Sequence, residues 1–325
     1  MREAPSPTEA FVLDLIADRQ LARRKAKPVL RHVALEVTSR CNLSCRHCYA
    51  NAGPDRGAGD LNLAELLGLA FSLRRDFRQP VAIDILGGEP LVRPDLLPFL
   101  RFLSTLGFRP GLATNGTLLD PTTVWRLSRY LGALCVSLDG VRWTHGLLRG
   151  TKNVRRLITA IRHAVRSPIP YVEVKTAIWK ANIDDLPVLF RIVKKLRVDS
   201  WHLFPIEAMG RGEDIAPGLL DREDYRRLVR FYEEVRHDPN LTVRFGELSR
   251  FHQRFRADVA ERFSRCQAGI SSLTVLSDGE VVACIHERGP SQGNVREKSL
   301  REIWADGFRI NRAPGWTRCG IHRFR

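Results

Sequence analysis

The stretch Glu36-Val-Thr-Ser-Arg-Cys-Asn-Leu-Ser-Cys-Arg-His-Cys-Tyr49 carries three cysteines, Cys41, Cys45 and Cys48, in one short loop. They follow an apolar run with the pattern of a β-strand, and their spacing is C-x3-C-x2-C. Three thiolates on one loop can each bind one iron of a four-iron cluster, which leaves the fourth iron open to a small ligand. A zinc site is the alternative, because His47 lies in the same loop and could supply a fourth ligand.

The pattern on both sides of this loop predicts alternating strands and helices. Six strand-like runs cover residues 32–37, 81–86, 109–113, 133–138, 171–178 and 200–204. Helical periodicity covers residues 63–77, 95–106, 121–131, 153–165 and 186–196. Such alternation indicates βαβ units and a parallel sheet. Six units are fewer than the eight of a closed barrel, so we expect an α/β fold, a partial (βα)6 TIM-like barrel with ligands at the carboxyl ends of its strands.

The composition limits the classes of partner. The 325 residues include 52 basic and 36 acidic side chains, which gives a formal net charge of +16. Arginines spread along the whole chain supply most of the positive charge. We therefore interpret it as a general feature of the composition and not as a surface for nucleic acid. A substrate with phosphate or carboxylate groups remains compatible with it.

The sequence lacks a segment typical of membrane insertion or secretion. No apolar run approaches the roughly 18 residues that a membrane-spanning helix needs. Residues 1–28 predict a short helix whose basic residues follow its apolar ones, the reverse of a secretory signal. An odd number of cysteines, seven, grouped by spacing, is typical of metal binding in a reducing compartment. We expect a cytoplasmic protein that does not bind membranes.

The cysteine loop resembles the signature of radical S-adenosylmethionine (SAM) enzymes, C-x3-C-x-aromatic-C. His47 stands at the aromatic position, and Tyr49 follows the last cysteine. The resemblance implies that the three cysteines bind a [4Fe-4S] cluster and that SAM binds its open iron. An electron, from a donor such as flavodoxin or ferredoxin, then cleaves SAM to a 5′-deoxyadenosyl radical that removes a hydrogen atom from substrate. The cofactor supplies the chemistry and the protein positions it.

A second motif, Gly87-Gly88-Glu89-Pro90, follows the second predicted strand. Two glycines allow the backbone to pass close to a ligand, and the glutamate offers acceptors to an ammonium group. Alone it reads as an ordinary turn. At a strand end after the cysteine loop, it resembles the motif that binds the SAM amino group in the family.

Three further segments resemble recurring SAM-facing positions of the family. Asn115 follows the third strand, Ser137 and Asp139 follow the fourth, and Arg149 matches an arginine that approaches the SAM carboxylate. Short polar residues also form turns, and an arginine can cap a helix. Both interpretations stay open for all four residues.

Several residues are candidates for the substrate cavity. Lys175 and Thr176 lie on the fifth strand, and the period of two does not tell which of them faces the lumen. His202 and Glu207 come from the sixth strand and the segment after it; for His202 a structural role is the alternative. Cys135, between Leu134 and Val136, is predicted to be a core cysteine.

The C-terminal part carries a second group of cysteines. Cys266 precedes a predicted hairpin over residues 272–283, Cys284 ends it, and Cys319 and His322 come close to the end of the sequence. This order is similar to the SPASM and twitch modules, which bind an auxiliary iron–sulfur cluster.

The resemblance to those modules is incomplete. The sequence lacks the C-x2-C-x5-C stretch of a full SPASM domain, and His322 stands where a cysteine is usual. Histidine can replace cysteine on a cluster iron, so we expect Cys266, Cys284, Cys319 and His322 to bind one auxiliary cluster. His286 or substrate as the last ligand, a zinc site, and a module with three spare thiols are the alternatives.

These features predict four segments. They are an N-terminal helical extension (1–30), the barrel (31–212), a linker with helices (213–262) and a small cysteine-containing auxiliary-cluster domain (263–325). The segment that ends in Gly210-Arg211-Gly212 resembles the bridge that leads out of the barrel in such enzymes. A helix is predicted over residues 222–235.

The resemblance predicts a peptide maturase, which modifies a ribosomally made peptide by oxidative or cross-linking chemistry. A small metabolite such as a sugar, nucleoside or cofactor precursor is the alternative substrate. Few residues precede the first strand, so we expect any leader-peptide-binding domain to be a separate protein. A non-catalytic iron–sulfur redox protein is the alternative of another class, and the Gly87–Pro90 motif speaks against it. An enzyme that modifies nucleic acid is a further alternative.

Overall fold

A computed structural model of the protein describes residue 24 and residues 27–141, 143–151, 153–246, 267–285 and 288–313. Most of the predicted N-terminal helix lies outside these residues, as do Cys266, His286, Cys319 and His322. The strands are β1 (His32–Glu36), β2 (Ala82–Leu86), β3 (Gly111–Thr114), β4 (Ala133–Ser137), β5 (Val172–Ile178), β6 (Ser200–Pro205), β7 (Thr242–Phe245), β8 (Ser272–Val275) and β9 (Val281–Val282).

In the described part of the chain, all of these strands form one sheet with the order β7-β6-β5-β4-β3-β2-β1-β8-β9. Neighbours pair in parallel from β7 through β1 to β8, and β9 returns antiparallel to β8. Sequential strands lie side by side from β1 to β7, as in the (βα) half of a barrel. This mostly parallel α/β sheet confirms the predicted fold class.

Helices fill the crossovers between the parallel strands, and two short helices follow the last described strand. They are α1 (Leu63–Asp76), α2 (Leu96–Thr105), α3 (Pro121–Ser128), α4 (Trp143–Arg149), α5 (Val154–Val165), α6 (Leu186–Leu196), α7 (Arg222–Val235), α8 (Leu300–Asp306) and α9 (Arg309–Arg312). Local sequence fixes several of their starts. Asn62 and Glu65 form a capping box at α1, and Ser299 and Glu302 form another at α8. Among the described residues, no helix combines the length and the apolarity that crossing a membrane requires.

The structure differs from the sequence-based prediction at both edges of the sheet. β7 lies inside the segment predicted as linker and helices and pairs with β6, from Ser200–Thr242 to Leu203–Phe245. The predicted hairpin forms as β8 and β9, but β8 pairs with β1, so it extends the barrel sheet. The start of the predicted linker forms 3-10 turns over Gly210–Gly218, with a kink at Ile215. The β6–β7 and β1–β8 pairings depend on tertiary contacts, so local sequence patterns do not reveal them.

The two faces of the sheet have different environments. Trp201 is fully buried and packs against Phe190 of α6 and Phe231 of α7, at ring distances of 6.2 and 6.1 Å. Its indole Nε1 donates to Thr176 Oγ1 at 2.8 Å, so Thr176 lies on the same helix-covered face. Successive side chains on a strand point to opposite faces, so Lys175 and His202 face the lumen of the partial barrel.

Candidate functional site

The cysteine loop begins directly after β1 and is held in place by Asp60. The carboxylate of Asp60 accepts hydrogen bonds from Thr38 Oγ1 at 2.5 Å, from Ser39 Oγ at 2.9 Å and from the Ser39 amide at 3.0 Å. Cys41 then pairs its amide with the carbonyl of Gly53 at 3.0 Å. The start of the loop is therefore fixed by backbone and carboxylate contacts that do not involve the thiols.

Arg211 holds the other end of the loop. Its Nε donates to the carbonyl of Cys45 and its Nη2 to that of Ala52, both at 2.8 Å, and its amide donates to the carbonyl of Cys48 at 3.1 Å. The neighbouring Gly210 has φ of +53°, and a Cβ there would lie 2.6 Å from the carbonyl oxygen of Cys48. The segment that sequence analysis interprets as a bridge out of the barrel thus packs on the cysteine loop.

The three thiols of the loop are free of disulfides and differ in burial. Cys41 and Cys45 are buried, while Cys48 is half-buried. Burial raises the pKa of Cys41 to about 11 and also raises the pKa of Cys45, so both are thiols without a bound metal ion. Iron binding would convert them to thiolates and release protons. Asn115 Nδ2 lies 3.8 Å from Cys41 Sγ, so the predicted SAM-facing Asn115 lies beside this loop.

The donor set of this loop fits an iron–sulfur cluster with an open coordination position. In the described residues, no three metal-binding side chains converge on a single point. The ligands of a four-iron cluster need not converge, because each binds a different iron. His47, in the same loop, has a buried Nδ1 that forms no hydrogen bond within the described part of the chain. Burial lowers the pKa of His47 to about 4, so its ring is neutral at pH 7 and able to pair with a bound ligand.

The glycines of the Gly87–Pro90 motif pass close to the cysteine loop. A Cβ at Gly87, which has φ of +140°, would lie 2.3 Å from the carbonyl oxygen of Thr38. A Cβ at Gly88 would lie 2.2 Å from the carbonyl oxygen of Arg40. The close approach that sequence analysis attributes to a ligand is therefore an approach to the chain's own backbone. The SAM contact of the motif stays a prediction.

The carboxylate of Glu89 is fully buried between the ends of β2 and β3. It accepts hydrogen bonds from Asn115 N at 2.7 Å, Thr114 Oγ1 at 2.8 Å and Leu91 N at 3.1 Å. Burial outweighs these bonds and raises the pKa of Glu89 above its ordinary value. Glu89 thus connects the Gly87–Pro90 motif to Thr114 and Asn115 at the end of β3. Pro90 begins the 3-10 helix Pro90–Val92.

Asp139 and Arg149 form a buried ion pair beside the loop. Arg149 Nε contacts Asp139 Oδ2, and Asp139 Oδ1 accepts from the amide of Ala177 at 2.9 Å. Burial alone would raise the pKa of Asp139, but the charge of Arg149 holds it below its ordinary value. His47 Nε2 lies 3.9 Å from the same carboxylate, and Cys45 Sγ lies 3.9 Å from the carbonyl of Arg149. These predicted SAM-facing residues are neighbours of the thiols and of one another.

The predicted cavity residues fall into two groups. Lys175 of β5 and His202 of β6 occupy paired positions, so they share the lumen face. Ser137 of β4, predicted to face SAM, pairs with Lys175 on the same face. Thr176 lies on the opposite face. Glu207 follows β6 close to Tyr225 of α7, and its charge adds to burial in raising the pKa of that hydroxyl.

The prediction of a core position for Cys135 is wrong. Cys135 lies on the lumen face and is half-buried. Leu134 and Val136, on either side of it, are fully buried on the helix-covered face. Apolar neighbours in sequence bury the opposite face of a strand, so they give no information about the residue between them.

The C-terminal segment contacts the cysteine loop through Arg288. Cys284 follows β9, and four positions later the guanidinium of Arg288 contacts the buried carboxylate of Glu36, the last residue of β1. The same guanidinium lies 5.6 Å from the ring centre of Tyr49. Burial raises the pKa of Tyr49, and the nearby charges of Glu36, Cys48 and Cys284 are among the causes. The end of β1, the residue after the loop and the Cys284 segment therefore meet at one place.

The sequence pattern does not predict Asp60 and Arg288 as parts of this region, and it predicts Arg211 only as part of the bridge. The Gly210-Arg211-Gly212 pattern carries a signal for Arg211, because glycines on both sides indicate close backbone packing. Asp60 and Arg288 lie in irregular segments without a periodic pattern. Their contacts depend on the tertiary structure, and nothing in their local sequence predicts them.

Comparison with family models finds two matches along the chain. The radical SAM superfamily model matches residues 35–189, which include the end of β1, the cysteine loop and the strands β2 to β5. The SPASM model, an iron–sulfur cluster-binding domain, matches residues 266–320. The second range includes Cys266, Cys284 and Cys319 and ends before His322.

Two similar proteins come from Methanosarcina barkeri (strain Fusaro). An AdoMet-dependent heme synthase is 29% identical over 317 residues, 91% of this chain and 89% of that protein. An Fe-coproporphyrin III synthase is 31% identical over 300 residues, 86% of this chain and 74% of that protein. Among solved structures, Streptococcus suis SuiB bound to S-adenosylmethionine superposes with a TM-score of 0.73 at 17% identity, over 91% of this chain and 70% of SuiB. That likeness shows the fold.

Proposed function

This chain belongs to the radical SAM superfamily and carries a C-terminal SPASM iron–sulfur domain, and we propose that its substrate is a tetrapyrrole with carboxylate side chains. The observation that carries the proposal is the similarity to the heme synthase and the Fe-coproporphyrin III synthase, which extends over most of the chain. A heme precursor falls within the cofactor-precursor alternative that the sequence leaves open.

The enzyme uses a [4Fe-4S] cluster, SAM and an auxiliary iron–sulfur cluster. When bound, these groups supply a carbon-centred radical that removes a hydrogen atom and an acceptor for the electron that the substrate gives up. Cys41, Cys45 and Cys48 would hold the first cluster. Cys266, Cys284 and Cys319 would hold the second, with His322 as the proposed further ligand. A separate electron donor, such as a flavodoxin or ferredoxin, remains part of this proposal.

The residues around the thiols would orient SAM and keep water out. Glu89 and Asp139 are buried and accept hydrogen bonds from the strands β3 and β5, and the buried Arg149 pairs with Asp139, so the three form a rigid support. Preorganised polar groups need no rearrangement when charge shifts during a reaction. The buried Nδ1 of His47 supports a ligand contact at this position.

The charge of the protein is compatible with an acidic substrate. The formal net charge of +16 attracts anions, and this attraction accelerates their encounter with the protein at low ionic strength. A coproporphyrin carries a propionate on each of its pyrrole rings, so it is a polyanion at neutral pH. An uncharged sugar or nucleoside would not benefit from this attraction.

Peptide maturation stays the competing proposal, with a separate leader-peptide-binding protein as its partner. The two proposals differ in which added compound stimulates SAM cleavage. Anaerobically reconstituted protein would be incubated with SAM, dithionite and Fe-coproporphyrin III. We expect 5′-deoxyadenosine to form faster with the porphyrin than without it, and the porphyrin mass to change. An unchanged porphyrin and an unchanged rate would overturn the tetrapyrrole proposal.

A further inference from the structure

Three basic side chains lie in one row across the lumen face of the sheet. Lys175 of β5 pairs with His202 of β6, and His202 pairs with Arg244 of β7. Paired residues of neighbouring strands point to the same face, so all three project into the lumen. Ser137 of β4 continues the row on the other side of Lys175. We name Lys175, His202 and Arg244 the basic row.

The basic row surrounds one carboxylate, that of Glu173, without satisfying it. Lys175 Nζ lies 3.6 Å from Glu173 Oε1, His202 Nδ1 lies 4.0 Å from the same atom, and Arg244 Nη1 lies 3.8 Å from Oε2. These separations exceed hydrogen-bond lengths. Oε2 is buried and forms no hydrogen bond with the described residues. The donors of the row therefore retain hydrogen-bonding capacity.

Two cations of the basic row face Glu173. Lys175 and Arg244 are cations, and Glu173 is the carboxylate that they share. Burial, with the charges of Lys175 and Arg244, lowers the pKa of His202 to about 3, so its imidazole is neutral at pH 7. Asp84 of β2, on the same face, is near enough for its charge to interact with Lys175, and its carboxylate contacts His32 Nε2 at 2.9 Å. A carboxylate beside the basic row would accept hydrogen bonds from the donors that Glu173 leaves unused.

The basic row lies below the edge of the sheet that carries the cysteine loop. Lys175 precedes the end of β5 at Ile178 by three residues, and His202 precedes the end of β6 at Pro205 by the same number. Three residues of a strand correspond to about 10 Å. A ligand held by the row would thus lie in the lumen, roughly 10 Å below the loop that binds the radical-generating cofactors. This geometry suits a substrate whose anchored group is distant from its reacting group.

We propose that Lys175, His202 and Arg244 form a carboxylate-binding subsite that holds one propionate group of the substrate. The inference rests on the proposed tetrapyrrole function and names the residues that recognise its acidic side chains. Two cations and a neutral imidazole can provide several hydrogen bonds to one carboxylate. The anchored group would fix which other side chain of the macrocycle lies under the cysteine loop.

Binding of Fe-coproporphyrin III to the reconstituted holoenzyme tests this subsite through the Soret absorption. We expect Lys175→Gln and Arg244→Gln each to raise the Kd about tenfold, because each removes a charged hydrogen-bond donor. Lys180→Gln is the matched control: Lys180 follows the end of β5, lies outside the basic row and pairs with Asp221 at 2.9 Å. Its Kd should equal that of the wild type. The tetramethyl ester of the porphyrin should bind the wild type and both lumen variants equally weakly.

The Glu173→Gln variant distinguishes loss of the subsite from misfolding, because it should strengthen binding and misfolding would weaken it. It keeps the shape of the side chain and removes the carboxylate that competes for the row, so we expect a Kd about tenfold lower than that of the wild type. Equal Kd values for the wild type, Lys175→Gln, Arg244→Gln and Glu173→Gln would overturn the subsite. Wild-type protein that cleaves SAM but binds no porphyrin would instead overturn the proposed function.

Discussion

Arg288 donates a hydrogen bond to the buried carboxylate of Glu36 and so joins the segment after Cys284 to the end of β1. Glu36 is 2% exposed, and burial raises its pKa although the charge of Arg288 opposes the shift. A buried carboxylate of this kind depends on its cation. The contact therefore links the cysteine loop to the SPASM segment through one ion pair.

Removal of Arg288 should destabilise the protein more than removal of the whole pair. Arg288→Met leaves Glu36 buried without a cation, which we expect to cost about 1–3 kcal/mol, since Arg288 remains partly solvated. The double variant Arg288→Met with Glu36→Gln should recover about half of that loss, because no unpaired buried charge remains. Thermal unfolding of the apoprotein measures both. Equal melting temperatures for the single and the double variant would exclude this coupling.

Gly210→Ala should prevent normal assembly of the cysteine loop. A Cβ at this position would collide with the carbonyl oxygens of Cys48 and Tyr49, and the φ of +53° is unfavourable for alanine. Gly68→Ala in α1 is the matched control, because a Cβ there meets nothing within 4 Å. Iron bound per chain after anaerobic reconstitution should fall only in Gly210→Ala. A full iron content in that variant would show that the loop tolerates the displacement.

Glu89→Gln should weaken SAM binding and lower stability. The amide would turn its NH2 group toward one of the donors, Thr114 Oγ1 or the amide of Asn115, and leave that donor buried without an acceptor. Such a loss costs about 1–3 kcal/mol. Equilibrium dialysis with labelled SAM and thermal unfolding measure the two effects. Wild-type values for both would argue against the hydrogen bonds seen here.

Replacement of the candidate auxiliary ligands should halve the iron content. A protein with two four-iron clusters binds about eight irons per chain. The triple variant with Cys266, Cys284 and Cys319 all changed to Ala should retain about four irons. The converse variant, with Cys41, Cys45 and Cys48 all changed to Ala, should also retain about four. Cys135→Ala is the control and should keep the full content. Iron near zero in the converse variant would mean that the C-terminal cysteines hold no cluster of their own.

Local patterns in the sequence predicted much of the fold. The periodicity before Cys41 places β1 within one residue, and helix α7 begins and ends where predicted. β7 was missed because Thr242–Phe245 is short and flanked by irregular sequence. The sequence also could not tell that β8 extends β1, since strand pairing depends on long-range contacts.

The candidate site was predictable where one motif carries the chemistry, as at Cys41, Cys45 and Cys48. It was not predictable where distant segments meet. Glu89 was expected to face a ligand, yet the chain itself supplies three donors to its carboxylate. The basic row requires the register of three strands, which no single segment encodes.

The transfer of a hydrogen atom from substrate to the 5′-deoxyadenosyl radical that SAM cleavage produces tests the central claim most directly. The measurement uses Fe-coproporphyrin III deuterated at the propionate side chains, with reconstituted enzyme, SAM and dithionite under anaerobic conditions. Mass spectrometry of the 5′-deoxyadenosine then reports the origin of the added hydrogen. The proposed function predicts deuterium in 5′-deoxyadenosine. Formation of 5′-deoxyadenosine without deuterium, at a rate that the porphyrin does not change, would contradict a tetrapyrrole substrate.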